Sequence, residues 1–412
     1  MSNIKIFNDP IYGFIMIPKG ILMELIDHPW FQRLRRIKQL GLSHFVYPGA
    51  VHTRFHHALG AYHLMTRALE ILKLKGLIIS KEEIEAAQIA SLLHDIGHGP
   101  FSHVLEHSLV PVDHEVMTLI IMKELNQEFD GRLSIAIEIF QGTYTKKYLH
   151  QLVSSQLDVD RMDYLNRDSF YSGVAEGTIG YDRMLTMMDV VDNQLVFEEK
   201  VALSVENYLA ARRLMYWQVY MHKTSLSAEY MLELLLKCCK QYKANKIAAP
   251  GLDYFLQLPK DFKLESDLNL LLAQFRNIDD SDIEMFLKAC VEFDDYLISY
   301  LAVSLLTRKF FKIIMQTNPF EQEVLQFYRE SCCKFFKINS AQSEMIVSEN
   351  KLVFSAYEFG ETELKIRTKS NEIKNLSQII NLENYIRNEV KYFITIPKEI
   401  GDSRQSSVVS HQ

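Results

Sequence analysis

Apolar positions along the chain recur at helical spacing far more often than they alternate. Residues 4–18 alternate loosely around turn signals at Asn8-Asp9-Pro10 and Gly13, which predicts a short β ribbon. Over 21–40 the period lengthens: Leu34, Ile37 and Leu40 are interleaved with Arg33, Arg35, Arg36 and Lys38, predicting a helix with a basic face. A second helix starts near Thr53 and runs through Arg54, His57, Leu64 and Leu69. A third, from Lys81, carries Ile84, Ala87, Ala90 and Leu93. Ser80 and Glu83 mark its start, because each side chain can satisfy a backbone N–H that the first turn leaves open. Further helices are expected over 114–128, 132–141 and 151–168, a hairpin over 194–205, and a long aromatic helix over 206–242. Pro250 and Gly251 then interrupt, helices resume to about 333, and strands fall within 352–367.

The predicted class is mainly α, a helical core with small β-hairpin elements and a mostly helical C-terminal region containing a few strands. Its parts are a β ribbon and basic helix (1–50), a helical core (51–185), a C-terminal region packing on that core (186–400) and a frayed tail (401–412).

Composition narrows the class without deciding the function. Hydrophobic residues make up 48% and charged residues 24%, which excludes a disordered or fibrous chain. The net charge of −7 gives no indication of nucleic-acid binding, since phosphate backbones are held by clustered Lys and Arg. An anionic small substrate would need a local basic pocket. Five cysteines without CxxC spacing read as core thiols, and no window approaches eighteen apolar residues, so a cytoplasmic protein without membrane contact is expected.

The chemistry concentrates at Leu93-His94-Asp95-Ile96-Gly97-His98-Gly99-Pro100-Phe101-Ser102-His103. Neighbours on a regular helix point about 100° apart. His94 and Asp95 can therefore share one ion only if the helix ends there, as Gly97, Gly99 and Pro100 suggest. Two ligands are too few; His57 and Asp160 are the candidates for the remainder. Two imidazoles and two carboxylates suit Mn, Fe, Zn, Ni or Mg without choosing among them.

These stretches, together with Asn8-Asp9-Pro10, Phe31-Gln32-Arg33-Leu34-Arg35, Tyr47-Pro48-Gly49-Ala50, His52-Thr53-Arg54-Phe55 and Asp158-Val159-Asp160-Arg161-Met162-Asp163-Tyr164, resemble the HD-domain deoxynucleoside triphosphate triphosphohydrolases. The resemblance is dense from residue 4 to about 185 and thin beyond 230. It implies a divalent metal held by His57, His94, Asp95 and Asp160, and a second Mg accompanying the nucleotide. It implies His98 and His114 beside the reacting phosphate, with His114 as proton donor and Glu106 orienting it. Arg54, His103, Arg161 and Tyr164 would line phosphates and sugar, Asp168 would meet the 3′-hydroxyl, Gln39 and Leu40 would face sugar and base, and Tyr220 would pack under the deoxyribose. Where relatives carry an acidic residue before the first ligand this chain has His56, and Met221 stands where some carry a polar residue.

The implied reaction is water attack at the α-phosphorus of a dNTP, dGTP favoured, giving a deoxynucleoside and triphosphate. Asn8, Asp27, Gln32 and Arg35 stand where relatives bind a regulatory nucleotide, which implies a dGTP or other dNTP activator and a homo-oligomer, dimer or tetramer. The rival readings are an HD phosphohydrolase acting on a nucleoside monophosphate or alarmone, and an idle nucleotide-sensing or nucleic-acid-binding protein.

Overall fold

The computed structural model describes residues 3–401 except 102–105, 107, 111, 242–249, 260, 261, 263, 265, 266, 359, 361, 387 and 388. His103 and the expected tail from 402 onward lie outside the described residues. The protein is mainly α, with three small sheets among the described residues.

The chain opens with the expected ribbon. β1 (Ile4–Asp9) and β2 (Gly13–Pro18) pair antiparallel, with Ile4 opposite Pro18 and Asp9 opposite Gly13. Asp9 Oδ1 accepts the N–H groups of Ile11 and Tyr12 and closes the turn. The single helix expected over 21–40 does not form. It divides into α1 (Ile21–Asp27), α2 (Pro29–Arg33) and a 3₁₀ turn (Leu34–Arg36), after which Lys38 bridges Thr53 in extended backbone. The cause is Pro29, which disfavours helical backbone at His28 (φ −66°, ψ 141°). The basic face dissolves too: Arg33 is fully buried, Arg36 pairs with Asp279, and Lys38 pairs with Glu284.

The central layer is α3 (Arg54–Leu74), α4 (Lys81–Leu93), α5 (His114–Glu128), α6 (Ser134–Gln141), α7 (Lys147–Val153) and α8 (Val159–Ser172). Ser80 and Glu83 form the capping box at α4. The helix expected over 151–168 is broken because Asp158 accepts the N–H of Ser155 with one oxygen and that of Arg161 with the other, turning the chain before starting α8.

After α9 (Tyr181–Thr186), the hairpin is β3 (Met188–Val191) and β4 (Gln194–Glu198), shifted toward the N-terminus from the expected 194–205. Its two turn residues, Asp192 (φ 49°) and Asn193 (φ 63°), both adopt left-handed backbone, the requirement of a two-residue type I′ turn that Asp and Asn tolerate. The expected helix over 206–242 is α10 (Ala202–Met215), a π turn (Tyr216–Tyr220) and α11 (Lys223–Gln241). Pro250 begins a helix, α12 (Pro250–Gln257), where its missing N–H costs nothing.

Helices α13 (Leu268–Phe275), α14 (Asp280–Cys290), α15 (Tyr296–Leu306), α16 (Gln322–Phe336), α17 (Ser340–Ile346), α18 (Glu383–Ile386) and α19 (Lys398–Gly401) complete the described chain. Two sheets accompany them: β5 (Lys312–Gln316), β9 (Glu389–Ile396) and β6 (Asn350–Phe354) form one, while β7 (Lys365–Arg367) and β8 (Ile373–Asn375) extend β3–β4. One apolar core runs from Ile15 to Ile400, so the C-terminal half is packed on the central layer. Asp280, at the start of α14, accepts the backbone N–H groups of Lys38 and Phe101 at 2.9 Å each, and thereby ties two loops beside the site. Among the described residues no helix is long and apolar enough to cross a membrane.

Candidate metal centre and its cavity

α4 ends at Leu93 and His94 is its C-terminal cap, so His94 and Asp95 lie in a turn, not on a regular helix. Three groups hold that turn. Thr118 Oγ1 accepts from Gly97 N and donates to His94 O. Buried Arg33 donates Nη2 to the carbonyls of Ile96 (3.1 Å) and His98 (2.8 Å). Gly97 allows α5 to come close: a Cβ there would stand 2.3 Å from His114 O and Thr118 N.

α3 and α8 supply the facing groups. His57 Nε2 lies 3.1 Å from His94 Nε2 and 3.1 Å from Asp160 Oδ1, and His94 Nε2 lies 3.4 Å from that oxygen. Asp95 flanks them, 3.5 Å from His94 and 3.7 Å from His57, and accepts from Arg54 Nη1. The register between adjacent histidines is plain: His56 Nδ1 accepts the N–H of Thr53 and caps α3, while His57 turns inward.

The hydrogen bonds behind the imidazoles determine what the cluster can hold. His57 Nδ1 donates to Asp163 Oδ2 at 2.7 Å, and His94 Nδ1 donates to Ser91 O at 2.7 Å. With Nδ1 protonated on both rings, the neutral tautomers aim two lone pairs and a carboxylate oxygen at one another, an arrangement that demands a cation or a proton. Ligands of an ion with bonds of about 2.1 Å lie roughly 3.0–3.4 Å apart, which the cluster matches. The residues therefore fit a divalent metal. Burial works against charge on His57, yet hydrogen bonds to Asp160 and Asp163 outweigh it and push the imidazole up to about 10. Burial also opposes ionisation of Asp95 and Asp160. Arg54 and the imidazoles hold the first well below the usual carboxylate range, and His57 with His94 hold the second there.

The cluster opens into a cavity of about 470 Å³. His98 and His114 stack in its wall with ring centroids 4.0 Å apart. Burial and the Arg54 charge hold His98 well below the usual imidazole range, so it is neutral. His114 Nδ1 lies 2.5 Å from Glu106 Oε1, which also accepts the His114 N–H. The π turn aims Tyr220 into the same space; its hydroxyl donates to Asp168 Oδ2 and His52 Nε2 donates to Asp168 Oδ1, each at 2.8 Å. Gln39, Leu40, Arg54, Tyr164 and Met221 also line it.

The structure thus brings together every expected site residue that it describes except two groups. Arg161 pairs with Asp158 at the start of α8 and is not among the lining residues. Asn8, Asp27, Gln32 and Arg35 lie on the outer side of the N-terminal region: Arg35 donates to Gln32 at 2.9 Å and lies 3.6 Å over the Phe55 ring, while Asn8 and Asp27 are exposed.

Sequence reasoning missed a buried relay behind the cluster. Asp163 receives His57 and Arg167, and Arg167 Nη1 donates to Asp9 Oδ2 at 2.8 Å, which joins the N-terminal ribbon to the metal side. The signal was available, since Asp160, Asp163, Tyr164, Arg167 and Asp168 recur at three and four residues and form a polar stripe on one helix face. Glu229 on α11, a cavity-lining carboxyl that burial raises to about 8, carried no such signal.

The HD domain family matches residues 54–168 and the HD associated region residues 179–250. The protein YwfO of Bacillus subtilis is 33% identical over 389 residues, covering 92% of this chain and 88% of that protein. A phosphohydrolase from Bacteroides thetaiotaomicron has a similar crystal structure, with a TM-score of 0.91 and 42% identity over 95% of this chain and 99% of that one. The deoxynucleoside triphosphate triphosphohydrolase SAMHD1 homolog of Dictyostelium discoideum is 34% identical over 251 residues, 55% of this chain and 48% of that protein. The chain belongs to the HD-domain phosphohydrolase family, with SAMHD1-type deoxynucleoside triphosphate triphosphohydrolases among its relatives.

Proposed function

We propose that the protein is a metal-dependent deoxynucleoside triphosphate triphosphohydrolase, with His57, His94, Asp95 and Asp160 as metal ligands. The observation that carries this reading is a cavity whose wall joins Asp95 and Asp160 of the metal-side cluster, the His98–His114 stack and the Asp168–Tyr220 pair. That arrangement offers one place for a phosphate, one for a proton donor and one for a sugar hydroxyl.

A divalent ion in the cluster would polarise a phosphate oxygen and promote water attack at phosphorus. The chain's own groups do the rest. Arg54, held by Asp95, faces the charge that grows on the phosphate oxygens. Glu106 accepts the Nδ1–H of His114, so that a doubly protonated ring can pass its Nε2 proton to the departing 5′-oxygen as the bond to the α-phosphorus breaks. The attacking water's proton is shed by the triphosphate product to solvent, which reprotonates the ring. Neutral His98 supports the His114 ring by stacking without competing for that proton. Asp168 accepts the 3′-hydroxyl, and the Tyr164 and Tyr220 rings, packed edge to face at 6.2 Å, form the wall against which the sugar rests. Regulation by dGTP or another dNTP at Asn8, Asp27, Gln32 and Arg35, in a dimer or tetramer, belongs to the same reading and is supported by the exposed Gln32–Arg35 pair.

The test is to incubate Mn-loaded protein with each dNTP, alone and with dGTP added, and to identify the phosphate product. Triphosphate is expected. Pyrophosphate or orthophosphate as first product would refute the reaction, and activity surviving in Asp160→Ala would refute the ligand assignment.

A further inference from the structure

Glu229 is the one carboxyl lining the cavity for which burial is the sole perturbation; no cation offsets it, and no hydrogen bond or ion pair engages it among the described residues. It rises from α11 beside the 3₁₀ turn at Gly41–Phe45, where its Oε1 would stand 3.8 Å from a Cβ placed on Gly41. Two residues before that glycine, Gln39 also lines the cavity, and its buried side-chain Oε1 has no hydrogen-bond partner. Two polar groups that lack partners thus line the same cavity around Gly41. The Gln39 oxygen is buried and Glu229 is half-buried at the cavity wall; polar groups left without a protein partner in such places are rare, and a ligand can satisfy them.

Charge decides what that something is. Arg54, His98 and His114 gather beside the metal cluster, where anionic oxygens belong. An ionised Glu229 would repel a triphosphate, and a neutral one would do nothing to hold its charge. The sugar hydroxyl already has Asp168. The remaining part of a nucleotide is the heterocycle, which is uncharged and carries the N–H donors and ring acceptors that Glu229 and Gln39 lack.

We infer that Glu229 reads the nucleobase as a neutral carboxyl, its C=O accepting from an exocyclic amino group and its O–H donating to the adjacent ring nitrogen. Adenine and cytosine present that amino–imine edge. On the Watson–Crick edge guanine presents two adjacent donors, and thymine has no amino group, so for a carboxyl that meets this edge dATP and dCTP lead as substrates in place of the dGTP preference that family resemblance suggests. Burial, which raises the Glu229 carboxyl to about 8, supports the neutral form at pH 7. This specificity rests on the dNTP reading of the site.

The experiment compares kcat/KM for dATP with that for purine 2′-deoxyriboside triphosphate, which differs only in lacking the amino group. Wild-type protein should favour dATP by roughly ten- to hundredfold, the discrimination expected of a site built around one buried hydrogen bond. Glu229→Ala should bring the ratio close to one. Glu229→Gln, which keeps an acceptor beside a donor, should retain most of it, a rescue that a purely structural role would not give. Equal loss on both substrates in Glu229→Ala, or an unchanged ratio, would overturn the role of Glu229 while leaving the dNTP reading standing. A wild-type protein that releases no triphosphate from any dNTP would overturn both.

Discussion

A single carbon at Gly60 should disable the metal centre without touching a ligand. Gly60 lies in α3, three residues beyond His57, and a Cβ there would stand 1.9 Å from Asp163 Oδ1 and 2.4 Å from Arg167 Nη2. Non-bonded atoms settle at about 3.5 Å, so Gly60→Ala must drive the Asp163 carboxylate away by roughly 1.5 Å. The 2.7 Å bond to His57 Nδ1 cannot survive that shift. Overpacking costs about 1–3 kcal/mol, and loss of a charged hydrogen bond about 1.5–3 kcal/mol. Alanine in a helix returns about 1 kcal/mol, leaving a net loss of about 3 kcal/mol. Unfolding entropy of about 2.1 cal/mol/K per residue gives about 0.9 kcal/mol/K for this chain, so the melting temperature should fall by about 3 °C. Freed from Asp163, His57 loses its fixed tautomer, and affinity for Mn should weaken about 10–100-fold. Calorimetry and a chelator-competition titration measure the two effects. Gly180→Ala is the control, because Gly180 has ordinary backbone (φ −83°) and no atom within 4 Å of an added Cβ. A Gly60→Ala protein that melts with the control and binds Mn within twofold of wild type would refute the reasoning.

Three further outcomes follow from the same contacts. In metal-free protein the folded His57 titrates near 10 against about 6.5 when unfolded; its stabilisation is complete below pH 6.5 and is lost as pH rises toward 10. An ion must displace that proton, so Mn affinity should climb through the same window, by up to about tenfold per pH unit; a flat titration would contradict the proton assignment. Glu106→Gln leaves His114 Nδ1 without its carboxylate and should lower kcat about 10–100-fold with little change in Mn affinity, read by steady-state kinetics on a dNTP. Tyr220→Phe removes one of the two donors to Asp168; it should raise KM for dNTPs and destabilise by about 1 kcal/mol, and an unchanged KM would place the sugar elsewhere.

What was legible in the sequence was local. Helical spacing predicted α3, α4 and α5, since burial of one face is written into which positions are apolar. Ser80 and Glu83 announced the start of α4, and Gly97, Gly99 and Pro100 announced its end beside His94 and Asp95. Breaks that depend on particular bonds were not legible by period: Pro29 splits the first helix, Asp158 splits the one before α8, and the π turn at Tyr216–Tyr220 interrupts an unbroken aromatic pattern. The metal-side donors come from α3, the turn after α4, and α8, and only packing could place their atoms within 3.1–3.4 Å. The same holds for the residues that sequence reasoning assigned elsewhere or passed over. Arg33 looked like part of a solvated basic face, yet it spends its guanidinium on carbonyls at Ile96 and His98, more than sixty positions away. Asp9, Asp163 and Arg167 form a relay across 158 positions. Glu229 reaches the cavity wall beside Gly41 only because α11 packs against the 3₁₀ turn there. Periodicity reports which face of an element avoids water; it carries no information on which distant element covers that face, and the tertiary structure alone decides which charges are left to find one another there.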